Sequence, residues 1–455
     1  MFRLFDTAAG EIVEIVPMIP GQFSMYVCGP TVYDLAHLGH GRYALVFDIL
    51  RRYLEWRGLK VRHVSNITDV DDKILERAEA ENRSPAEVAA EFEEKWFSTM
   101  DRLGVLRPHY IPHATEYVEN MIRFIDSLLK ADVAYAGDDG IYFDVNKVAD
   151  YGLLARQSPA SLRAGARVAE KEFKRSAMDF VLWKFSETSA WSWESPWGPG
   201  RPGWHTECVV MSVDILGEEF DLHGGGLDLS FPHHENERVQ AEAMHYKFSR
   251  HWVHNGFVMV GSEKMSKSLG NFTTLDELLE STDARAYRLL VLQSHYRSPL
   301  DVNAQTVSEA SRALERLDST HQRVIDSGID LTSSRLNEEE LERFRDVMDN
   351  DLDTATATAR LFELRSRVNQ LLDDALLEEA ATTCATMEHL FGAIGLDLVG
   401  AKEADLPDDV KALLEQREAA RNAKEYVRSD QLRKELAALG FLVEDTSVGQ
   451  KVKRT

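Results

Sequence analysis

Three groups of residues in this chain have types and spacings suited to chemistry. His37-Leu38-Gly39-His40 joins a strand-like stretch to a long helical one. Two imidazoles three apart, with a glycine that lets backbone approach a ligand, suit a triphosphate at a helix N-terminus. Donors placed there stabilise charge that develops as a phosphorus is attacked. Lys264-Met265-Ser266-Lys267-Ser268 follows more than 200 residues later. Its two ammonium groups on one loop suit a pyrophosphate as it leaves. The third group is scattered: Cys28 ends a strand-like run, Cys208 opens a helical one, and His233 and Glu237 share a helical face. Two thiolates, an imidazole and a carboxylate make an acceptable tetrahedral zinc set, and soft thiolates select zinc over magnesium or calcium. Each group also has a plain reading: loop histidines, a solvated Lys/Ser loop, and two core cysteines beside an unrelated histidine. The four candidate ligands are not spaced as a zinc finger, so only the fold can gather them.

Two other chemistries are excluded directly. His234-Glu235 opens an H-E-x-x-H frame, but its last position is Arg238, which cannot be the second histidine of a zinc protease. No Walker A loop occurs anywhere in the chain.

The elements that must position these residues are legible from periodicity. Residues 23–28 alternate as a strand and end at Gly29-Pro30; 40–56 carry Ala44, Phe47, Leu50 and Leu54 on one helical face, with Gly58 as the stop. A second strand is predicted at 61–66, an acidic run at Asp69, Asp71 and Asp72, and a helix over 84–103. Strand, helix and strand at this spacing form a βαβ unit of a parallel sheet. A helix over 116–130 and a hairpin over 134–145, turning at Asp138-Asp139-Gly140, belong to an insertion. The Gly- and Pro-rich stretch 194–204 returns the chain to the sheet. Beyond Asp301 helical patterns run to about residue 395, as in an antiparallel bundle. Helices at 408–421 and 423–439 and a strand at 440–444 close the chain. Cys384, on a predicted bundle helix, is expected to be a small core residue.

A chain of 455 residues implies two to four domains. The expected division is 1–113 with 195–247 as a Rossmann-like catalytic domain, 114–194 as an inserted connective domain, 248–300 as the region carrying Lys264 and Lys267, 301–400 as a helical bundle, and 401–455 as a small C-terminal α/β module. No stretch approaches the 18–20 apolar residues of a membrane span, and three cysteines make no disulfide framework, so the cytoplasm is the expected compartment. The net charge of −24 argues against a nucleic-acid partner, yet from Lys411 onward ten basic residues face seven acidic ones.

The histidine and lysine motifs, in this order and context, resemble the signature pair of class I aminoacyl-tRNA synthetases. The stretches MYVCGPTVYDLAHLGHGR, NITDVDDKI, MDFVLWK, GRPGWHTEC, FDLHGGGLDLSFPHHENE and KMSKSLGNF narrow this to a resemblance to the cysteinyl-tRNA synthetase family over nearly the whole chain. Leu38 replaces the family's commonest isoleucine, an apolar exchange. The resemblance implies one zinc ion on Cys28, Cys208, His233 and Glu237. It implies ATP, accompanied by magnesium, on Thr31, the His37–His40 loop with Gly39, Gly224, Gly225, Gly226 and Lys267. The cysteine pocket would take in Gly29, Thr68, Trp204 and Asp228, and His37, His40, Lys264 and Lys267 would be catalytic. It also implies tRNA(Cys) as partner, the tail 401–455 at its anticodon end, and a monomer. Two alternatives share the same signatures: a ligase that passes cysteine to an amino sugar, and a non-catalytic paralogue.

Overall fold

The computed structural model describes residues 1–156, 174–186, 191–259, 274–331, 334–398, 408–423, 425–439, 441–446 and 449–454. The chain opens with an antiparallel pair, β1 (Arg3–Asp6) and β2 (Glu11–Glu14). Then come β3 (Gln22–Val27), α1 (Leu38–Trp56) and β4 (Lys60–Val64), with β3 and β4 parallel, as the periodicity predicts. The acidic run, expected only as a charged stretch, starts a helix: the Asp71 side chain accepts the backbone N–H of Lys73 and caps α2 (Asp72–Glu81). Ser84 and Glu87 form a capping box that starts α3 (Pro85–Arg102).

After α4 (Val118–Lys130) the chain builds an antiparallel sheet of its own from β5 (Ala134–Ala136), β6 (Gly140–Phe143), β7 (Phe180–Phe185) and β8 (Gly200–Pro202). Trp183, Phe143, Phe180 and Ile125 form its core, and Trp193 and Trp197 pack against it. The chain then returns through α5 (Trp204–Leu216), β9 (Glu219–Gly226), α6 (Glu235–Ala243) and β10 (Phe248–Asn255). The central sheet is parallel throughout, in the order β10-β9-β3-β4. Strand order therefore reverses beside β3, and the carboxyl ends of β3 and β9 lie side by side, where such sheets leave a crevice for ligands.

Short β11 (Val258–Met259) and β12 (Leu300–Asp301) pair in parallel, with α7 (Leu275–Ser281) and α8 (Ala284–Leu292) between them in sequence. α9 (Ala304–Asp326), α10 (Glu338–Met348), α11 (Thr354–Asp373) and α12 (Leu377–Gly392) follow. The contacts divide the chain into two compact units. One holds 1–314, 338–361 and 389–396; the other holds 315–337, 362–388 and 397–455. Within the second, Asn369 donates to Thr320 at 2.8 Å, Arg323 pairs with Asp373 at 2.7 Å, and Cys384 is fully buried. Its C-terminal part is α13 (Asp408–Asn422), α14 (Tyr426–Ala438) and the antiparallel pair β13 (Phe441–Thr446) and β14 (Gly449–Arg454). Among the described residues no helix is long and apolar enough to cross a membrane.

One buried cation ties α1 to the first unit. Arg42 is 1% exposed and among the described residues has no carboxylate partner; its guanidinium donates to the carbonyls of Gly256, Phe257, His295, Tyr296 and Ser298. Tyr287 donates to the Leu38 carbonyl at 2.7 Å one turn earlier. A fork of N–H donors replaces water for carbonyls of two crossing segments. Arg42→Met keeps the volume and strips the donors, so those carbonyls lose their partner. Urea unfolding should show a loss of about 3 kcal/mol or more; unchanged stability would show that water satisfies them equally well.

Candidate metal centre and nucleotide cleft

Cys28 follows directly on β3, Cys208 lies in the second turn of α5, and His233 and Glu237 flank the start of α6. Folding brings their ligand atoms within 4.8 Å of one another. Cys28 Sγ is 3.5 Å from Cys208 Sγ and 3.4 Å from Glu237 Oε1, and His233 Nε2 lies 3.0 Å from that same oxygen. All four are buried, Cys28 most exposed at 4%. Burial pushes the Cys208 thiol up to about 11 and the Cys28 thiol and Glu237 carboxyl well above their ordinary ranges, and it holds the His233 imidazole neutral. Among the described residues no lysine or arginine pairs with them. Three groups that ionise to anions, sharing a dry site without a cation, fit a divalent ion of the borderline-soft kind.

The surroundings orient the donors. His233 Nδ1 meets His205 Nδ1 at 2.9 Å; with the shared proton on His233 Nδ1, the His233 Nε2 lone pair faces Cys208 and Glu237. His223 Nε2 lies 3.2 Å from Glu237 Oε2 and 3.4 Å from Cys28 Sγ. His234 continues inward to His254 at 2.8 Å, and His254 to Thr7 at 2.7 Å. Cys28, His223, His234 and Glu237 form a second, overlapping four-donor set. His223 went unnoticed in the sequence because a histidine on a buried strand has no spacing of its own to mark it.

Above this centre opens a cleft of about 520 Å³, lined by Cys28, Gly29, Thr31, His37, Gly39, His40, Lys73, Trp204, Gly226 and Asp228 among others. Trp204 stacks on His233 at 3.9 Å, joining the cleft floor to the metal set. Gly29 accepts no side chain, since a Cβ would overlap the Asn66 carbonyl; its N–H donates to Asn66 Oδ1 at 2.9 Å. Asn66 in turn donates to Thr68, and Thr68 to the buried Glu207 at 2.9 Å. Thr68 thus lies behind the cleft wall, with its backbone bridged to Thr31. Of the three glycines only Gly226 reaches the cleft. A Cβ on Gly224 would overlap the Phe47 ring, and one on Gly225 would crowd His234 and Leu229. Those two let α1 and the 233–234 turn close onto β9. Lys264 and Lys267 lie outside the described residues.

His37 and His40 stack at 3.6 Å and cap α1 reciprocally: each Nδ1 accepts the other's backbone N–H at 3.3 Å. With Nδ1 an acceptor, the proton sits on Nε2 in both rings. Burial lowers both, and with neighbouring His37 and Lys73 disfavouring a further positive charge it pushes His40 down to about 3. Two neutral imidazoles therefore offer N–H donors beside the first turn of α1.

His63, on β4, is likewise pushed down to about 3, by burial first and then by Arg51 and His109. Its folded value lies below the unfolded one of about 6.5, so the unfolded chain takes up the proton first as pH falls. The stabilisation is complete above pH 6.5 and is lost progressively toward pH 3. Replacing His63 with Gln should flatten the fall of unfolding free energy between pH 6 and 4 by up to about 1.4 kcal/mol per pH unit. An identical slope would mean that His63 is protonated in the fold.

Comparison with known proteins agrees with this geometry. Residues 14–312 match the model of the class I (C) tRNA synthetase catalytic domain, 343–399 that of the DALR domain, and 403–452 that of the cysteinyl-tRNA ligase anticodon binding domain. The chain is 43% identical to the cysteine–tRNA ligase of Methylobacillus flagellatus, over all of both chains. It is 41% identical to that of Caldicellulosiruptor saccharolyticus, over 99% of each. In fold it is similar to Mycobacterium tuberculosis methionyl-tRNA synthetase in complex with methionyl-adenylate (TM-score 0.62, 14% identity, 82% of this chain and 89% of the other). The Agrobacterium radiobacter leucyl synthetase ternary complex gives a TM-score of 0.60 at 13% identity, over 85% and 87%. With the catalytic model, the anticodon-binding model and full-length relatives in agreement, the chain belongs to the cysteine–tRNA ligase family of class I aminoacyl-tRNA synthetases.

Proposed function

We propose that the protein activates L-cysteine with ATP and esterifies it to the 3′ end of tRNA(Cys). The observation that carries this reading is the convergence of Cys28, Cys208, His233 and Glu237 directly beneath the cleft that His37 and His40 border. Zinc held by those four would favour the substrate sulfur, as a soft thiolate, over a serine hydroxyl, which is harder and more basic. A purely apolar pocket separates such near-isosteres by only about a hundredfold.

The remaining work falls to the chain's own groups. Gly29 brings backbone close to the amino acid, and Asp228, exposed in the cleft, receives the ammonium. Trp204 covers one side, and Thr68 braces the wall through Asn66 and Glu207. With sulfur and nitrogen held, the carboxylate is left to attack the α-phosphate in line. Nε2–H groups of His37 and His40 donate to oxygens that gain charge, with Thr31, Gly39 and Gly226 beside the nucleotide. Gly224 and Gly225 act from beneath, by letting β9 pack closely. Lys264 and Lys267 neutralise pyrophosphate, with magnesium accompanying ATP. Residues 1–113 and 195–247 carry this chemistry, 114–194 are inserted into it, 248–300 carry the lysines, 301–400 form the bundle, and 401–455 meet the anticodon end. The match of 403–452 to an anticodon-binding domain favours tRNA over an amino sugar as acceptor.

The purified protein should contain about one zinc per chain and catalyse cysteine-dependent ATP–pyrophosphate exchange. No exchange by zinc-loaded protein would end this reading. Cys208→Ser should lower both the zinc content and the exchange rate; full zinc retention would remove Cys208 from the ligand set. Lys267→Ala should slow adenylate formation by about 10²- to 10³-fold while cysteine binding stays near wild type. Equal rates would free Lys267 of that role.

A further inference from the structure

Lys73 lines the same cleft as His37, Gly39 and His40, and nothing in the mechanism above employs it. It is exposed, in the first turn of α2, and its ammonium lies over the Tyr33 ring, 5.0 Å from the centroid. The neighbouring acids are engaged elsewhere. Asp71 is spent on the cap of α2. Asp72 pairs with Lys184 at 2.8 Å and with Arg201. Asp34 pairs with Arg77 at 2.9 Å. Among the described residues no carboxylate lies within ion-pair distance of the Lys73 nitrogen, although the chain as a whole carries a net charge of −24.

Among the described residues, the cleft's lining has one other acidic or basic side chain besides the two imidazoles, Asp228, of opposite sign. His37 and His40 contribute hydrogen-bond donors but no net charge, since burial keeps both neutral. A site that must take a polyanion from water thus presents, from its described walls, a single unneutralised ammonium, held in place by an aromatic face. Tyr33 restrains the lysine without cancelling its charge, as a carboxylate would.

We infer that Lys73 is a phosphate-binding residue of this cleft, pairing with a phosphate of a substrate that enters beside His40. This rests on the cysteine-charging reading. That reaction brings two phosphate-bearing molecules to the cleft: the triphosphate of ATP in the first step and the 3′-terminal backbone of tRNA in the second. The required chemistry is the same for both, an unpaired cation within reach of a phosphate oxygen.

Lys73→Ala and Lys73→Arg in the zinc-loaded full-length protein separate the two sources. Because Lys73 is exposed, both variants should unfold at the wild-type temperature. The alanine variant should lose about 10- to 100-fold in kcat/KM for the phosphate-bearing substrate, while arginine, which retains the charge, stays within several-fold of wild type. A loss in ATP–pyrophosphate exchange without tRNA assigns the contact to ATP. Wild-type exchange with a loss confined to tRNA charging assigns it to the tRNA end. Wild-type rates in both reactions for Lys73→Ala, or equal losses for Ala and Arg, would overturn the inference. A wild-type protein inert in exchange would instead remove the cysteine-charging reading on which it depends.

Discussion

Two thiols, an imidazole and a carboxyl group share one dry site at the carboxyl ends of β3 and β9, and among the described residues no lysine or arginine pairs with them. Much of the surrounding packing answers to that constraint. Ionised donors there repel one another, and desolvation drives them toward their neutral forms. The fold meets this with neutral histidines rather than charged side chains: His205 on His233, His223 on Glu237, and His234 on His254. Tyr26, Phe220, Trp252 and Phe248 close the site from the sheet side. A formal charge placed in this shell would either neutralise the donors by itself or compete with a bound ion.

The same reasoning explains why α1 is held so firmly. Its first turn is capped by the stacked pair His37 and His40, so the residues that border the cleft also set where the helix begins. Arg42, one turn on, binds five carbonyls on segments that in sequence flank residues 260–273. Phe47 presses on Gly224, which fixes the height of β9 against the helix. At the far end Tyr53 and Trp56 pack on Phe344, and Tyr53 donates to Asp349 at 2.6 Å. A helix anchored along its whole length gives its N-terminal donors a defined position, and electrostatic stabilisation of a developing charge depends on that preorganisation.

Local patterns made part of this legible in advance. The helices at 40–56 and 84–103, the hairpin turning at 138–140 and the parallel βαβ unit follow from periodicity and turn residues, which act over a few positions. The β1–β2 pair was not visible, because Glu11–Glu14 is largely exposed and has no strict alternation. The start of α2 was hidden because its acidic run resembles a solvated charge cluster until Asp71 is seen to cap it. Lys73 likewise has no local spacing that marks it. Among the described residues it is left unopposed because Asp71 caps α2, Asp34 pairs with Arg77, and Asp72 pairs with Lys184 and Arg201, 112 and 129 positions along the chain from Asp72.

By itself the sequence determined which chemical groups were available and which short elements would carry them: two histidines at a helix start, thiols at the end of one strand and the start of one helix, an imidazole and a carboxyl one helical turn apart. Those properties are local, set by residue type and by backbone periods of two and 3.6 residues. The tertiary structure alone decided that Cys28, Cys208 and Glu237 would meet across separations of 180 and 209 residues. It also decided that of three consecutive glycines only Gly226 would face the cleft. Neither outcome is encoded in spacing, because each depends on strand order in the sheet and on how closely α1 and the 233–234 turn approach β9.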